Sequence, residues 1–370
     1  IRAPLWSRGL GDVYKRQHIA RPVNRNEWES NPKAKAAMDK EFFKLLNHPR
    51  PTKTDKGVGV WDLSSVREYQ DVKKEAIRKG VKVHFGAAHE LCMEKNSELA
   101  DDDPLRKFKG RCVFLGGNVR DEYGDFARFE GLSSSTPSME ADRVADALAC
   151  SGDYLSETGD AVGAYTQSYL DGKVVTWCRL PKDRWPSHWH GKYKDPVVRM
   201  VLSLYGHPDS GGFWEQTCES HLKACGFEPF ENWKSVFWHA KYKALMVVYV
   251  DGFKLAAPTK VMNEIWKMLR SRIKMDDPAP PDRFLGCYLR EFTAKVKDVA
   301  EILAKSPKLC VRGEPTPRPF VPDDPDHKVR GYVYDMEDYF KINVDKYLRM
   351  VSAPMSSLKR VETPFLDESR

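Results

Sequence analysis

The segment LMVVYVDGFKL, residues Leu245–Leu255, predicts the central feature of the fold. Its apolar and β-branched first half is short enough to predict a buried strand. Asp251-Gly252 then predicts a two-residue hairpin turn, because both central positions of that turn favour φ > 0. The pattern places one carboxylate at the tip of a rigid hairpin. Such a carboxylate can bind a metal ion or simply form the turn, and the segment taken alone favours the turn.

The composition is that of a globular protein large enough for two or three subdomains. Of the 370 residues, 31% are charged and 41% are hydrophobic, and the formal net charge is +7. This mildly basic balance permits a polyanionic partner without requiring one. No stretch approaches the roughly 20 apolar residues of a membrane span, and no secretory signal is recognisable, so we expect no membrane partner.

The eight cysteines are scattered along the chain without a Cys-x-x-Cys pair. They predict reduced thiols in an intracellular protein, cytoplasmic or nuclear, rather than a disulfide framework or a zinc site. His188 and His190 flank Trp189, but no cysteine or carboxylate lies near them at ligand spacing. We therefore expect no metal at this histidine pair.

Three helices are predicted from the spacing of apolar residues and from their caps. Asn31 is a cap for an amphipathic helix that begins at Pro32 and runs for about three turns. A second helix is predicted over Val66–Lys79, and the glycine that follows, Gly80, is predicted to end it. A third is predicted over Met139–Cys150, with Ser138 as its cap.

A basic segment precedes the apolar run Cys112–Leu115. In a strand, alternate side chains point to the same face, so Lys107, Lys109 and Arg111 are predicted to project together. Three cations on one face suit a triphosphate or a nucleic-acid backbone. The alternative is an edge strand that carries charges against aggregation, and the residues alone leave both interpretations open.

A second notable carboxylate is Asp160, which is followed by small and β-branched residues and then by Tyr165. A carboxylate at the end of a strand with small neighbours leaves room for a ligand. Without a partner it is a loop residue, and most such aspartates are structural.

Several motifs occur in an order that resembles a known family. They are Asp160-x-x-x-Ala164-Tyr165, Leu204-Tyr205-Gly206, Phe213-Trp214-Glu215, Gly226-Phe227, Tyr249-Val250-Asp251 and Phe284-Leu285-Gly286. In this order and spacing they resemble the reverse transcriptase domain of Ty1/copia-type retrotransposon polyproteins, over roughly residues 24 to 366. The resemblance implies an α+β right-hand polymerase fold, with fingers, palm and a partial thumb around an antiparallel palm sheet.

The resemblance also implies a division of the chain into segments. Residues 18–158 would form the leading helix, the fingers and the start of the palm, residues 159–292 the palm, and residues 331–370 a thumb-like C-terminal segment. Residues 293–330 look unlike the family and predict an exposed insertion. Residues 1–17 show no period and resemble translated adapter sequence, so we interpret them as a non-native leader.

The chemistry of that family gives five residues a role by resemblance. Phosphoryl transfer to a primer 3′-hydroxyl uses two divalent cations, and Mg²⁺, or Mn²⁺ in its place, prefers carboxylate and phosphate oxygens. Asp160 and Asp251 would be the catalytic metal ligands. Lys109 and Arg111 would neutralise the triphosphate, and Tyr165 would lie under the incoming sugar. The implied partners are an RNA or DNA template-primer and deoxynucleoside triphosphates.

Two departures from the family pattern bear on activity. The family has two consecutive aspartates in its hairpin, but Gly252 stands in the second place here, which predicts weaker metal binding and slower turnover. Pro208–Gly212 replaces the family's Lys-Gln-Ala-Pro-Arg. Three functions remain open: an RNA-directed DNA polymerase domain impaired by Gly252, a nucleic-acid-binding remnant without catalysis, and a plain globular fold with two turn-forming aspartates. The ordered motifs make the last of these the least favoured.

Overall fold

The computed structural model describes residues 20–51, 55, 57–97, 99–129, 135–284, 287–305 and 324–358. The predicted leader, residues 1–17, lies outside these ranges, and so does part of the predicted insertion. The chain divides into two compact units. Unit 1 comprises Ile1–Ser135 and Val162–Leu222, and unit 2 comprises Thr136–Ala161 and Lys223–Arg370. The segments implied by the family resemblance have other boundaries and stay a prediction.

The described residues form a mixed α and β protein with several sheets. The strands are β1 (Ala20–Val23), β2 (Trp61–Glu68), β3 (Val83–Lys95), β4 (Lys107–Phe114), β5 (Tyr154–Asp160), β6 (Val175–Arg179), β7 (Pro196–Met200), β8 (Glu228–Phe230), β9 (Trp233–His239), β10 (Ala244–Tyr249), β11 (Gly252–Pro258), β12 (Arg283–Phe284), β13 (Cys287–Lys295) and β14 (Lys328–Asp335). The helices are α1 (Arg25–Ser30), α2 (Pro32–Leu46), α3 (Tyr69–Lys79), α4 (Met139–Ala149), α5 (Ser210–Ala224), α6 (Thr259–Arg270), α7 (Val296–Lys305) and α8 (Glu337–Met350). None of the helices in these ranges combines the length and the apolar character needed to cross a bilayer.

Unit 1 is built on a six-stranded sheet in the order β1-β3-β6-β7-β2, with β4 paired to β3 off this path. β3 and β6 are parallel, and the other pairs are antiparallel. The main core of the unit contains the large buried side chains of Trp61, Phe114, Trp189 and Leu202. This packing fixes the position of β4, which carries the predicted basic face.

Helix α2 packs closely on β4. Asn31 caps the helix as predicted, because its side-chain oxygen accepts hydrogen bonds from the N–H groups of Lys33 and Ala34. In β4, Gly110 approaches the helix backbone so closely that a Cβ there would lie 2.9 Å from the Cα of Met38. Glycine is therefore required at this crossing, because any side chain would push the strand away from the helix.

Unit 2 is built on an antiparallel five-stranded sheet in the order β5-β11-β10-β9-β8. Helix α4 packs on this sheet through its apolar face, with Ala141 and Ala145 fully buried. The helix begins at Met139 as predicted, and the Ser138 hydroxyl oxygen accepts a hydrogen bond from the Ala141 N–H. A further three-stranded sheet, β12-β13-β14, belongs to the same unit.

The predicted helix over Val66–Lys79 is wrong at its start. The residues up to Glu68 belong to β2, because Arg67 and Glu68 pair with β7. Helix α3 begins only at Tyr69 and ends at Gly80, whose φ of 64° forms a left-handed cap. Pairing with a distant strand, which the local pattern does not show, decides the boundary.

Candidate functional site

The β10–β11 hairpin turns at Val250 and Asp251. Tyr249 and Gly252 are paired, so the two residues between them form the turn, and the turn predicted at Asp251-Gly252 is wrong by one position. The reason is register: shifting the pairing by one residue would turn the buried side of each strand outward. Val250 adopts a φ of 57°, which is a rare conformation for a β-branched residue.

Gly252 is the first residue of β11 and pairs with Asp160 at the end of β5. Its φ lies outside the left-handed region. A Cβ placed on Gly252 would lie 3.5 Å from Asp160 Oδ1 and 3.7 Å from Phe284, which is ordinary van der Waals contact. The backbone therefore does not require glycine at this position, and an aspartate side chain could be accommodated.

The same pairing brings Asp160 and Asp251 side by side in unit 2. The Ala161 N–H donates a hydrogen bond of 2.7 Å to the Asp251 carbonyl oxygen, which ties the hairpin to the end of β5. The residue Asp160 is exposed. Partial burial of its carboxyl group raises the pKa of Asp160, and the negative charges of Asp251 and Asp276 raise it further. Like charges that raise a pKa in this way mark a position where a cation would be favourable.

Asp276 is a neighbouring carboxylate that the sequence reasoning missed. Its N–H donates a hydrogen bond of 2.9 Å to the Asp160 carbonyl oxygen, and Met275 forms a bridge with Ala161. The local signal was the acidic pair Asp276-Asp277. That signal does not show that the loop after α6 folds back beside β5, which is a long-range contact.

The donors at this position suit a magnesium ion that takes its other ligands from substrate and water. Carboxylate oxygens are hard ligands, and Mg²⁺ commonly uses one or two of them together with phosphates. Across the described ranges, no group of three or more His, Cys, Asp or Glu side chains is placed to hold a metal ion. The protein therefore offers an open metal site at most, and the roles of Asp160 and Asp251 as ligands stay a prediction.

The basic face predicted on β4 is present in unit 1. Lys107, Lys109 and Arg111 are exposed, while Gly110 between them is buried. Partial burial lowers the pKa of Lys109, and the positive charges of Arg111 and Lys95 lower it further. Concentrated positive charge of this kind favours an anionic ligand. Among the described strands β4 pairs only with β3, so the charges also lie on a sheet edge, as in the alternative interpretation.

The Tyr205 ring contacts two of the predicted nucleotide-binding residues, Arg111 and Tyr165. The guanidinium of Arg111 lies 5.5 Å from the centroid of the Tyr205 ring, and the Tyr165 ring packs edge-on against the same ring at 4.5 Å. Gly206 allows this arrangement, because a Cβ there would lie 2.1 Å from the Phe114 carbonyl oxygen and its φ is 90°. Tyr205 was part of a motif in the sequence, but its position between Arg111 and Tyr165 was not predicted.

Comparison with known proteins points to retrotransposons. No protein-family model matches the chain. It is 27% identical over 235 residues to the Transposon Ty1-DR1 Gag-Pol polyprotein of Saccharomyces cerevisiae, which covers 60% of this chain and 12% of that protein. It is 28% identical over 149 residues to the Transposon Ty1-MR1 Gag-Pol polyprotein of the same yeast, which covers 36% of this chain and 8% of that protein.

The chain therefore spans about an eighth of the length of the curated relatives that it matches, since the first of them is covered to 12%. This similarity supports a retrotransposon origin of the Ty1/copia type. Because the match covers so small a share of those polyproteins, the activity of this segment must be argued from its own residues.

Proposed function

We propose that the chain is the RNA-directed DNA polymerase domain of a Ty1/copia-type retroelement, with a right-hand polymerase fold and a turnover lowered by Gly252. The observation that carries this proposal is the register in unit 2, which pairs Gly252 with Asp160 and so sets Asp251 beside Asp160. The similarity to Ty1 Gag-Pol polyproteins supports the retrotransposon origin that the proposal assumes.

Asp160 and Asp251 would hold Mg²⁺ through their carboxylate oxygens. The ion, when bound, activates the primer 3′-hydroxyl and neutralises charge on the phosphates. The protein positions the two carboxylates: the Ala161 N–H holds the hairpin at the end of β5. Since the pKa of Asp160 is raised, a cation would also favour the ionised form of this side chain.

Lys109 and Arg111 would neutralise the triphosphate of the incoming nucleotide, and Tyr165 would support its sugar. A guanidinium offers paired N–H donors that match phosphate oxygens. The packing of Arg111 over Tyr205 restricts the directions in which the guanidinium can point. A template-primer duplex and deoxynucleoside triphosphates are the partners that follow from these roles.

A nucleic-acid-binding remnant without catalysis is the second candidate. It is favoured by the incomplete set of donors, since Gly252 occupies the place of the second aspartate and the described residues provide no group of three or more metal ligands. Phosphate contacts from Lys109 and Arg111 would survive this loss, because they do not need a metal ion.

Primer extension on an RNA template with Mg²⁺ or Mn²⁺ separates the two candidates. We expect slow extension by the unchanged protein and none by Asp160→Asn or Asp251→Asn. Asp153→Asn, at an exposed position of the same unit, is the matched control and should leave extension unchanged. Gly252→Asp should raise extension about tenfold or more, because a further carboxylate strengthens metal binding. Gly117→Asp adds the same charge where a new Cβ meets nothing within 4 Å, and it should not.

Each outcome has a definite meaning. Extension only after Gly252→Asp would favour the remnant, and no extension by any variant would contradict the metal site. Polymerase and remnant should both shift a primer-template duplex in a salt-dependent way, whereas a plain globular fold would shift it at no salt concentration. Lys109→Ala should reduce the slope of log affinity against log salt by about one, and the exposed control Lys267→Ala should leave it unchanged.

A further inference from the structure

Unit 1 contains a cavity of about 370 Å³ to which the proposed polymerase activity gives no role. Its walls include Lys82, His84, Arg128, Phe129, Lys173 and Phe213. The volume lies within the range of sites for small molecules. A second cavity of about 560 Å³ shares Lys82, His84 and Arg128 as walls, but its other walls include three acidic residues.

Three cations line the first cavity, and two of them, Lys82 and Arg128, also line the second. The side chains of Lys82, Arg128 and Lys173 are exposed and make no ion pair or hydrogen bond with another described residue. Two carboxylates, Asp171 and Asp209, also line the cavity, so its cations exceed its carboxylates by one. Such a lining favours a ligand with a compact anionic group and with hydroxyl or amino groups that donate to carboxylates.

His84 contributes a buried polar group to the cavity wall. It is only 7% exposed, and no other described residue forms a hydrogen bond with its ring. Burial lowers the pKa of His84, so the ring is neutral at pH 7 and has one donor and one acceptor nitrogen. Because His84 lines the cavity, its ring nitrogens are available to a polar ligand there.

Phe129 provides an aromatic wall that is held between two imidazole rings. Its ring centroid lies 4.5 Å from that of His84 and 5.5 Å from that of His207. His207 is fixed in turn: its Nδ1 accepts a hydrogen bond of 3.2 Å from the Asp209 N–H, and its Nε2 lies 3.1 Å from Thr176 Oγ1. Burial lowers the pKa of His207 to about 4, so this ring is also neutral at pH 7. A wall fixed in this way can stack on a planar ligand ring.

We propose that this cavity binds a small phosphomonoester that carries an aromatic ring, which is the chemistry of a nucleoside monophosphate. The phosphate is held by Lys82, Arg128 and Lys173, and the ring stacks on Phe129. Hydroxyl or amino groups of the ligand donate to the cavity's carboxylates, such as Asp171. A triphosphate is disfavoured, because those carboxylates oppose additional negative charge. The site does not depend on polymerase activity.

Isothermal titration of the full chain with adenosine 5′-monophosphate tests this site. We expect saturable binding that weakens about tenfold in Arg128→Ala and in Lys173→Ala, which is the effect of losing one charge-assisted contact. Lys74→Ala, at an exposed lysine of α3 in the same unit, is the matched control and should bind like the unchanged protein. Adenosine and inorganic phosphate should each bind at least about tenfold more weakly, because each lacks one half of the ligand.

Absence of binding by adenosine monophosphate would overturn the proposal, and so would equal affinity of Arg128→Ala and the unchanged protein. The variant Asp251→Asn separates this site from the polymerase proposal. Binding that persists in Asp251→Asn, whether or not primers are extended, supports the cavity. Binding that is lost in Asp251→Asn and kept in Arg128→Ala would assign the ligand to the aspartate pair and overturn the cavity assignment.

Discussion

Strand β11 contacts two pairs of aspartates that have opposite environments. At its first residue, Gly252 lies beside the open pair, Asp160 and Asp251. Two residues further along the same face, Lys254 is fully buried between the closed pair, Asp142 and Asp146. Phe284 lies between the two environments. A Cβ placed on Gly252 would lie 3.7 Å from a ring carbon of Phe284, and Lys254 Nζ lies 5.3 Å from the centroid of the same ring.

The closed pair receives its positive charge from within the protein, although Asp142 Oδ2 is buried without a hydrogen-bond partner. Lys254 Nζ lies 2.6 Å from Asp142 Oδ1 and 2.5 Å from Asp146 Oδ1. The Tyr334 hydroxyl donates a hydrogen bond of 2.8 Å to the other oxygen of Asp146. Burial raises the pKa of Asp142, and the nearby Lys254 opposes that shift. The protein supplies its own cation here, so the closed pair has no need of a metal ion.

The open pair lacks such a cation among the described residues, since no salt bridge of Asp160 or Asp251 occurs there. The same residue type, in contact with the same strand, is therefore either buried against a lysine or left without a salt bridge, according to burial and the nearest positive charge.

The largest expected effect is the loss of the buried cation. Lys254→Met should lower the free energy of unfolding by about 3–5 kcal/mol, because it leaves two carboxylates buried without a positive partner. Urea unfolding measures this change. The exposed control Lys267→Met should change it by less than about 0.5 kcal/mol, and an equally small effect of Lys254→Met would contradict the importance of the closed pair.

A compensated variant sharpens the same comparison. Lys254→Met combined with Asp142→Leu and Asp146→Asn removes all three charges while keeping an acceptor for the Tyr334 hydroxyl. It should recover most of the lost stability, because an apolar replacement of a buried ionic cluster is commonly neutral or stabilising. If the triple variant were no more stable than Lys254→Met, packing rather than charge would explain the loss.

Divalent cations should distinguish the open pair from the closed pair. At a Mg²⁺ concentration of ten times its Kd, bound metal should stabilise the unchanged protein by about 1.4 kcal/mol. Asp251→Asn should abolish this increment, whereas Asp142→Asn should start from a lower stability and keep the increment. Thermal unfolding with and without Mg²⁺ provides the measurement, and an equal increment in all three proteins would show that Mg²⁺ binds elsewhere.

A smaller effect is expected from the titration of Asp160. The pKa of Asp160 is raised above its ordinary value of 3.8, so the folded state binds this proton more tightly than the unfolded state does. The resulting stabilisation is fully present below pH 3.8 and is lost as the pH rises through the folded-state pKa. Asp160→Asn should therefore gain stability relative to the unchanged protein between pH 4 and pH 7 in metal-free buffer, by less than about 1 kcal/mol because solvent screens the exposed site. A difference in melting temperature that does not change with pH would contradict this expectation.

An effect of comparable size is expected at the turn. Val250→Asn should stabilise the protein by roughly 0.5–1 kcal/mol, because asparagine tolerates the left-handed conformation better than a β-branched residue does. Chemical unfolding measures the change. The same substitution at Val333, an exposed position in β14, should not stabilise the protein, and stabilisation there as well would contradict the argument from strain.

Features that depend on neighbouring residues could be predicted from the sequence. The caps Asn31 and Ser138 fixed the starts of α2 and α4, and the alternation of charge fixed the exposed face of β4. Each of these signals lies within one helical turn or one strand, where local geometry decides the outcome.

Features that depend on distant contacts could not be predicted in this way. A lysine is ordinarily exposed, even in an apolar strand. Lys254 is instead buried against Asp142, which lies 112 positions away in the sequence. The position of Asp276 beside Asp160 depends on a returning loop. The turn was misplaced at Gly252 because glycine favours turns, whereas strand register decided where this turn lies.

One face of β4 packs against the protein, and the other carries its charged side chains. Gly110 is held against the backbone of α2 and tolerates no side chain, whereas the side chains of Lys107 and Lys109 are exposed and Arg111 packs over the Tyr205 ring. The charges at Lys107 and Lys109 can therefore be reversed or removed without disturbing how Gly110 anchors the strand. For protein engineering, β4 is a site at which affinity for polyanions can be tuned continuously while the scaffold stays constant.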